Sequence, residues 1–173
     1  MSIEAALLEP SHLLALGRTT PVPKATGAYA WYFDEPPPGV STTGTHLRHG
    51  HFLLYVGIAP RKPPGEGKPS VCTLRDRLRQ HYALNAYGST LRMTLGCLLG
   101  LELRRMESTE RPGYGKRTTF GSDEERLSAW MEEHARVVWV KHDEPWQIEA
   151  DRAPQCAPQS ERLDSYARDL LQI

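Results

Sequence analysis

The 173-residue sequence has few cysteines, and the three that it has, Cys72, Cys97 and Cys156, lie far apart. They form no C-x-x-C pair, which argues against a zinc ribbon and against a disulfide framework. No apolar run approaches the ~18 residues of a membrane span, and the acidic N-terminal region is unlike a secretory signal peptide. We therefore expect a cytoplasmic protein with inert thiols and no membrane association.

The sequence also lacks net charge, with 21 basic and 21 acidic residues. This balance argues against binding of nucleic acid through overall charge. The distribution is uneven, because residues 61–120 contain twelve Lys and Arg against five Asp and Glu. Such asymmetry predicts one surface that faces phosphates, although solvated basic loops would give the same counts.

Two strand-like segments and one helix organise the chain. Residues 28–33 are rich in aromatic side chains, and residues 52–58 form a continuous apolar run, as in strands buried on both faces. Further along, Leu74, Leu78 and Tyr82 recur at four-residue spacing and define the buried side of a helix. The chain is long enough for one domain with a core.

Arg77 and His81 lie together on one border of that apolar stripe, because residues four apart share a helix face. Arg77 offers a permanently charged planar fork for phosphate oxygens. His81 could take part in proton transfer or contact a phosphate. Each could instead be an ordinary surface residue.

Capping signals and periodicity predict the remaining elements. Thr73 is the expected N-cap of the Arg77 helix, and Ser89 with Thr90 opens a second helix over residues 91–103. A capping box at residues 122–125 begins a third helix, and residues 136–140 form a third strand.

The two ends of the chain and one basic stretch complete the prediction. Residues 3–16 are expected to form short helical turns, the second capped by Ser11, and residues 104–121 an exposed loop or hairpin. Pro145 is expected to begin a fourth helix. The element order predicts an α+β fold with a small three-stranded antiparallel sheet flanked by helices.

Three segments in a fixed order resemble a known family. They are Gly27-Ala28-Tyr29, Tyr55-Val56-Gly57 and the helical run R-L-R-Q-H-Y that begins at Arg77. Together they resemble the GIY-YIG nuclease superfamily, in the form of a stand-alone bacterial-type domain protein. In that family the two tripeptides lie on neighbouring strands of a small antiparallel sheet, and the arginine helix follows them.

The resemblance implies a metal-dependent DNA endonuclease that cleaves phosphodiester bonds by water attack. It assigns Arg77 to the scissile phosphate, Tyr29 to activation of water and Tyr55 to positioning groups around the phosphate. A phenol acts as a base only when a cation or metal favours its phenolate. Read without the family, both tyrosines could be core residues.

The resemblance also implies one divalent cation, Mg²⁺ or Mn²⁺, held by a glutamate late in the domain. Glu149 matches that glutamate by position after the third strand, and Glu102, Glu132 and Glu133 are rivals. Magnesium prefers hard oxygen ligands, which a carboxylate supplies.

Nucleic-acid contacts are predicted from the motif and from the basic segment. The predicted contacts are Gly57, Arg77, Arg92, Arg104, Arg105, Lys116 and Arg117. Glycines in strands mark close backbone approach, so Gly27 and Gly57 are expected to leave room for DNA. The histidines in H-x-x-H-x-H from His46 to His51 could hold zinc, but exposed loop histidines are the simpler interpretation.

These motifs divide the chain into a helical lead-in over residues 1–26, a nuclease-like domain over 27–151 and a tail with a short helix over 152–173. The tail has no Asn where many family members have one, and Ala28 and Val56 replace isoleucines. An alternative is therefore a catalytically degenerate nucleic-acid-binding module of the same fold. A third possibility is a protein-interaction domain that uses the acidic face.

Overall fold

The computed structural model describes residues 2–17, 20–60, 71–106 and 117–146. Its helices are α1 (Ile3–Leu8), α2 (Leu74–Tyr82), α3 (Thr90–Leu98) and α4 (Glu124–His134). Its strands are β1 (Gly27–Phe33), β2 (Leu47–Arg48), β3 (His51–Ala59), β4 (Arg104–Arg105), β5 (Thr118–Thr119) and β6 (Ala135–Lys141). Within the described ranges, none of the helices combines the length and the apolarity that crossing a membrane requires.

The central sheet is antiparallel, with strands in the order β2-β3-β1-β6. The three predicted strands are neighbours in this sheet, which confirms the α+β prediction. Every residue of β1 is buried, because the strand lies between two others and both of its faces are covered. Such a strand appears in the sequence as an unbroken apolar run.

The sheet has a fourth strand that the sequence did not reveal. Leu47 and Arg48 pair with the start of β3 across a tight turn. In that turn His49 and Gly50 have φ angles of 49° and 75°. A two-residue strand is too short to show a period of two, so the prediction of three strands was too low.

The two faces of β1 pack against different parts of the chain. Tyr29 and Trp31 point into a core formed with α2, α3 and α4. Ala28 and Ala30 point the other way, into a second core that α1 covers with Leu7. The small alanine side chains leave room for the helix to approach the sheet.

The lead-in forms less helix than the sequence predicted. The second turn with Ser11 as its N-cap is wrong, because Leu14 instead pairs with Val137 of β6. Two backbone hydrogen bonds join them, with N···O distances of 3.0 and 2.8 Å. This pairing satisfies the backbone N–H and C=O groups of Val137 at the outer edge of β6, which a separate helical turn would leave without partners.

The predicted N-caps are correct for α2 and α3 but not for α4. Thr73 and Ser89 cap α2 and α3 with their side chains, as predicted. The helix expected over residues 91–103 ends at Leu98, because Gly100 adopts a φ of 71°. The expected capping box at residues 122–125 is also wrong, since the N-cap of α4 makes no side-chain cap bond.

At the two ends of the basic stretch, β4 pairs antiparallel with β5, as the hairpin alternative predicts, while residues 107–116 lie outside the described residues. The fourth helix expected from Pro145 falls almost wholly outside the described residues, as does the tail over 152–173.

Candidate active site

The strand register brings two tyrosines to one face of the sheet. Tyr29 of β1 lies opposite Gly57 of β3, and Trp31 lies opposite Tyr55. The ring centroids of Tyr29 and Tyr55 are 6.3 Å apart.

Both motif glycines make room for protein atoms. A Cβ at Gly57 would lie 2.3 Å from the Tyr29 Oη, so the Tyr29 ring fills the space above the glycine. A Cβ at Gly27 would meet the backbone of β6 and the side chain of Leu74. Protein atoms therefore occupy the space beside both glycines, which is not left open for DNA. Gly57 itself is half-buried, and its contact with nucleic acid stays a prediction.

His81 of α2 lies beneath three aromatic rings and is fully buried. Its ring centroid is 5.5 Å from that of Tyr29, 5.7 Å from Tyr55 and 6.3 Å from Trp31. Its Nε2 is 2.7 Å from the Tyr29 Oη, and its Nδ1 is 2.7 Å from the Ser89 Oγ. The helix position that the sequence placed beside the sheet thus contacts both motif strands and the start of α3.

His81 is neutral at physiological pH. Burial lowers its pKa to about 3, and the charges of Arg77 and Arg92 add to the effect. A neutral imidazole has one N–H and one bare nitrogen, so it can donate one hydrogen bond and accept another.

Tyr29 and Arg77 are electrostatically coupled. Burial raises the pKa of Tyr29 well above its ordinary value, and Tyr55 raises it further, whereas Arg77 lowers it through its charge and through hydrogen bonding. Burial by itself would lower the pKa of Arg77, but Tyr29 and Tyr55 raise it, so the guanidinium remains charged. The resting site therefore pairs a neutral phenol with a permanent cation.

The start of α3 forms one wall of the site. Ser89 is buried, and its Oγ accepts the backbone N–H of Arg92 at 3.0 Å. The Thr90 hydroxyl is 3.4 Å from the Tyr55 Oη. The sequence identified these two hydroxyls as a possible anion contact, and the structure turns them toward His81 and Tyr55.

Arg92 is a structural residue. Its guanidinium is buried, lies 2.7 Å from the Glu124 Oε2, and donates to the backbone carbonyl of His81 at 3.4 Å. A buried cation paired in this way cannot reach a phosphate on the surface. The prediction of Arg92 as a nucleic-acid contact is therefore wrong.

Glu124, which sequence reasoning missed, supports this wall from α4. Its Oε1 accepts the Ala86 N–H at 2.8 Å and the Thr119 hydroxyl at 2.5 Å, while Oε2 pairs with Arg92. Burial would raise the pKa of Glu124, but these donors lower it below its usual range. A glutamate in the first turn of a helix is ordinary, so no sequence signal marks this role.

Unlike Arg92, the predicted basic contacts Arg104, Arg105 and Arg117 reach the surface. Arg104 and Arg105 are exposed on β4, with Arg104 3.2 Å from Glu102. The Arg117 guanidinium lies 4.1 Å from the ring centroid of Tyr87, an exposed residue two positions before Ser89. Cation and aromatic surface thus lie next to the wall of the site.

Lys116 and Glu149 lie outside the described residues. In the part of the chain that the structure describes, no three His, Cys, Asp or Glu side chains come together as a metal site. The loop histidines make other contacts: His46 lies 2.6 Å from the Leu8 carbonyl and His49 lies 2.9 Å from the Pro10 carbonyl. Of the three, His49 is exposed in the turn before β3, whereas His46 is half-buried and His51 is the first residue of β3.

Comparison with known proteins agrees with the geometry of the site. A family model described as the GIY-YIG catalytic domain matches residues 27–158, more than half of the chain. No curated protein and no solved structure gives a significant match. The match begins at the first residue of β1 and spans both tyrosines, the arginine helix and the start of α3. The chain belongs to the GIY-YIG superfamily, whose catalytic domain is of the nuclease type.

Proposed function

We propose that this protein is a metal-dependent DNA endonuclease that cleaves phosphodiester bonds by attack of water. One observation carries the proposal: two tyrosines, a neutral histidine and a charged arginine from separate parts of the chain meet on one face of the sheet. A core would not need a coupled cation and phenol at that place, because isolated buried polar groups cost free energy.

Arg77 binds the scissile phosphate in this proposal. It is half-buried and charged, and its guanidinium can donate two parallel hydrogen bonds to phosphate oxygens. The same charge stabilises the additional negative charge that develops at phosphorus as water attacks.

Tyr29 takes the proton of the attacking water. Its raised pKa leaves little phenolate at pH 7, but that phenolate is a strong base once it forms beside Arg77. Because the phenolate fraction rises about tenfold per pH unit below the pKa, cleavage should increase with pH through the neutral range. Tyr55 and Thr90 line the neighbouring wall.

A divalent cation would stabilise charge on the leaving oxygen when it is bound. The described side chains around Tyr29 are neutral or cationic, so a carboxylate from elsewhere must hold it. Glu149 remains the predicted ligand, with water and the substrate phosphate as further ligands.

The basic surface supplies non-specific DNA contacts. Arg104, Arg105 and Arg117 are proposed to contact phosphates, together with Lys116. Affinity should then fall steeply with salt and weaken when these residues are neutralised. Binding that does not depend on salt would contradict this part of the proposal.

The main experiment is nicking of supercoiled plasmid with Mg²⁺ or Mn²⁺, with and without chelator. Arg77→Ala should abolish nicking, and Arg77→Lys should fail as well, because an ammonium cannot reproduce the planar fork. Arg79→Ala is the matched control, since Arg79 lies on the same helix and is exposed. Full activity in Arg77→Lys would exclude bidentate phosphate binding.

Glu149→Gln separates metal binding from DNA binding. The variant should lose metal-dependent nicking and retain DNA affinity, because the amide preserves shape and removes charge. Equal nicking by wild type and variant would place the metal ligand elsewhere. If the wild type binds DNA but nicks it with neither metal, the protein is a non-catalytic binding module.

A further inference from the structure

Ser89 contacts His81 on the side opposite Tyr29. Three polar atoms thus form a chain: the Ser89 Oγ, the two ring nitrogens of His81 and the Tyr29 Oη. Both links are 2.7 Å long, and all three residues are buried. The direction of the hydrogen bonds along this chain decides what Tyr29 can do.

The backbone determines which way the Ser89 hydroxyl points. As the N-cap of α3, the Ser89 Oγ already accepts the Arg92 N–H at 3.0 Å. The hydroxyl proton then needs an acceptor, and among the described residues the His81 Nδ1 is the one within reach. If Nδ1 carried a proton instead, the Ser89 hydroxyl proton would be buried without a partner, which proteins avoid.

We infer that Ser89 is a positioning residue that keeps the His81 proton on Nε2, so that His81 donates a hydrogen bond to the Tyr29 Oη. In this arrangement His81 cannot accept the Tyr29 proton at Nε2, and the Tyr29 hydroxyl proton points away from α2. A donor aimed at the Oη favours the phenolate over the phenol. The consequence for cleavage rests on the proposed function, whereas the tautomer itself does not.

The tautomer can be measured without any activity. Nitrogen-15 NMR of histidine-labelled protein distinguishes a protonated Nε2 from a protonated Nδ1, and His81→Gln identifies the signal. The wild type and Ser89→Thr should show the proton on Nε2. Ser89→Asp, which keeps an acceptor for the helix cap but brings no proton, should show it on Nδ1. A wild-type proton on Nδ1 would overturn the inference.

Cleavage and DNA binding give a second measurement. Ser89→Asp should lower the nicking rate about tenfold or more and leave DNA affinity unchanged, because His81 no longer donates to the Tyr29 phenolate oxygen. Ser89→Thr should keep the wild-type nicking rate, because the threonine hydroxyl keeps that donor in place. Because Ser89→Asp keeps an acceptor for the Arg92 N–H, a lower rate would not come from loss of the helix cap. Equal nicking by wild type and Ser89→Asp would overturn the positioning role.

The two experiments fail separately. If the wild type never nicks DNA but carries the His81 proton on Nε2, the tautomer assignment stands and the nuclease proposal falls. If the wild type nicks DNA and carries that proton on Nδ1, the nuclease proposal stands and the role of Ser89 falls.

Discussion

The two faces of the central sheet bury tyrosines of the same strand in different ways. Tyr29 contacts the imidazole of His81 at 2.7 Å, whereas the Tyr32 hydroxyl donates to the backbone carbonyl of Leu7 at 2.7 Å. Burial raises the pKa of Tyr32 to about 12, with Glu9 raising it further and Arg48 opposing. Two equally buried tyrosines thus belong to a network of ionisable side chains on one face and to a purely structural hydrogen bond on the other.

The difference lies in what each hydroxyl meets. A backbone carbonyl can only accept, so the Tyr32 hydroxyl has a single role: it holds α1 against the sheet. The His81 imidazole can donate or accept a hydrogen bond, whereas the Arg77 guanidinium can only donate and carries a positive charge. Because that charge favours the phenolate, the Tyr29 oxygen can change its protonation state.

Removing each hydroxyl in turn should give the largest contrast. Tyr29→Phe should reduce nicking by at least about 100-fold, because it deletes the proposed proton acceptor. Tyr32→Phe should leave the nicking rate unchanged and lower the free energy of unfolding by about 1 kcal/mol, the value of one hydrogen bond. Nicking rates and urea unfolding of both variants test this pair. Loss of activity in Tyr32→Phe alone would reverse the assignment of the two faces.

Acid should lower the free energy of unfolding through the buried His81. The pKa of His81 is about 3 when folded against an ordinary value of 6.5, so between those values the unfolded chain binds a proton that the folded chain does not. Stability therefore falls as pH falls through this window, by up to about 1.4 kcal/mol per pH unit. His81→Gln should show a shallower loss when unfolding is measured from pH 7 to 4.

Filling the space under Tyr29 should have a smaller effect on stability. Gly57→Ala puts a methyl group 2.3 Å from the Tyr29 Oη, so the ring must shift away from its place. We expect a loss of about 1–3 kcal/mol and a lower nicking rate. Gly17→Ala is the control, because the nearest atom to its Cβ is 4.0 Å away. A fully active Gly57→Ala would show that the Tyr29 position is not critical.

The smallest effect is expected on the other face. The Arg48–Glu9 ion pair is 3.0 Å long, but its two side chains are 39% and 57% exposed. Arg48→Ala should change the unfolding free energy by less than about 1 kcal/mol, and less still in high salt. A larger loss that persists in high salt would show that this pair, in addition to Leu7 and Tyr32, holds α1 in place.

Much of the fold was predictable from local patterns. The strands over residues 28–33, 52–58 and 136–140 follow from long apolar or β-branched runs, and Thr73 and Ser89 follow from cap chemistry. The strand Leu47–Arg48 was not predictable, because two residues carry no period. The backbone pairing of Leu14 with Val137 was not predictable either, since it depends on residues more than a hundred positions away.

The candidate site divides in the same way. The order of short motifs identified Arg77, His81 and the two tyrosines. Each motif consists of residues that are close in sequence, so it can be recognised without knowledge of the fold. Arg92 was misassigned, because a single arginine looks the same whether it faces solvent or a buried carboxylate. Its partner Glu124 lies 32 positions away, and only packing of α3 against α4 brings them together.

The sequence by itself determined the strand and helix types, the caps and the family motif, since these depend on neighbours along the chain. Tertiary structure alone decided that Gly57 makes room for the Tyr29 ring and that Ser89 meets His81. It also decided that one tyrosine of β1 meets an imidazole and the other a carbonyl. The physical reason is that a side chain's charge and hydrogen-bonding role depend on the groups that surround it in space, which distant parts of the chain supply.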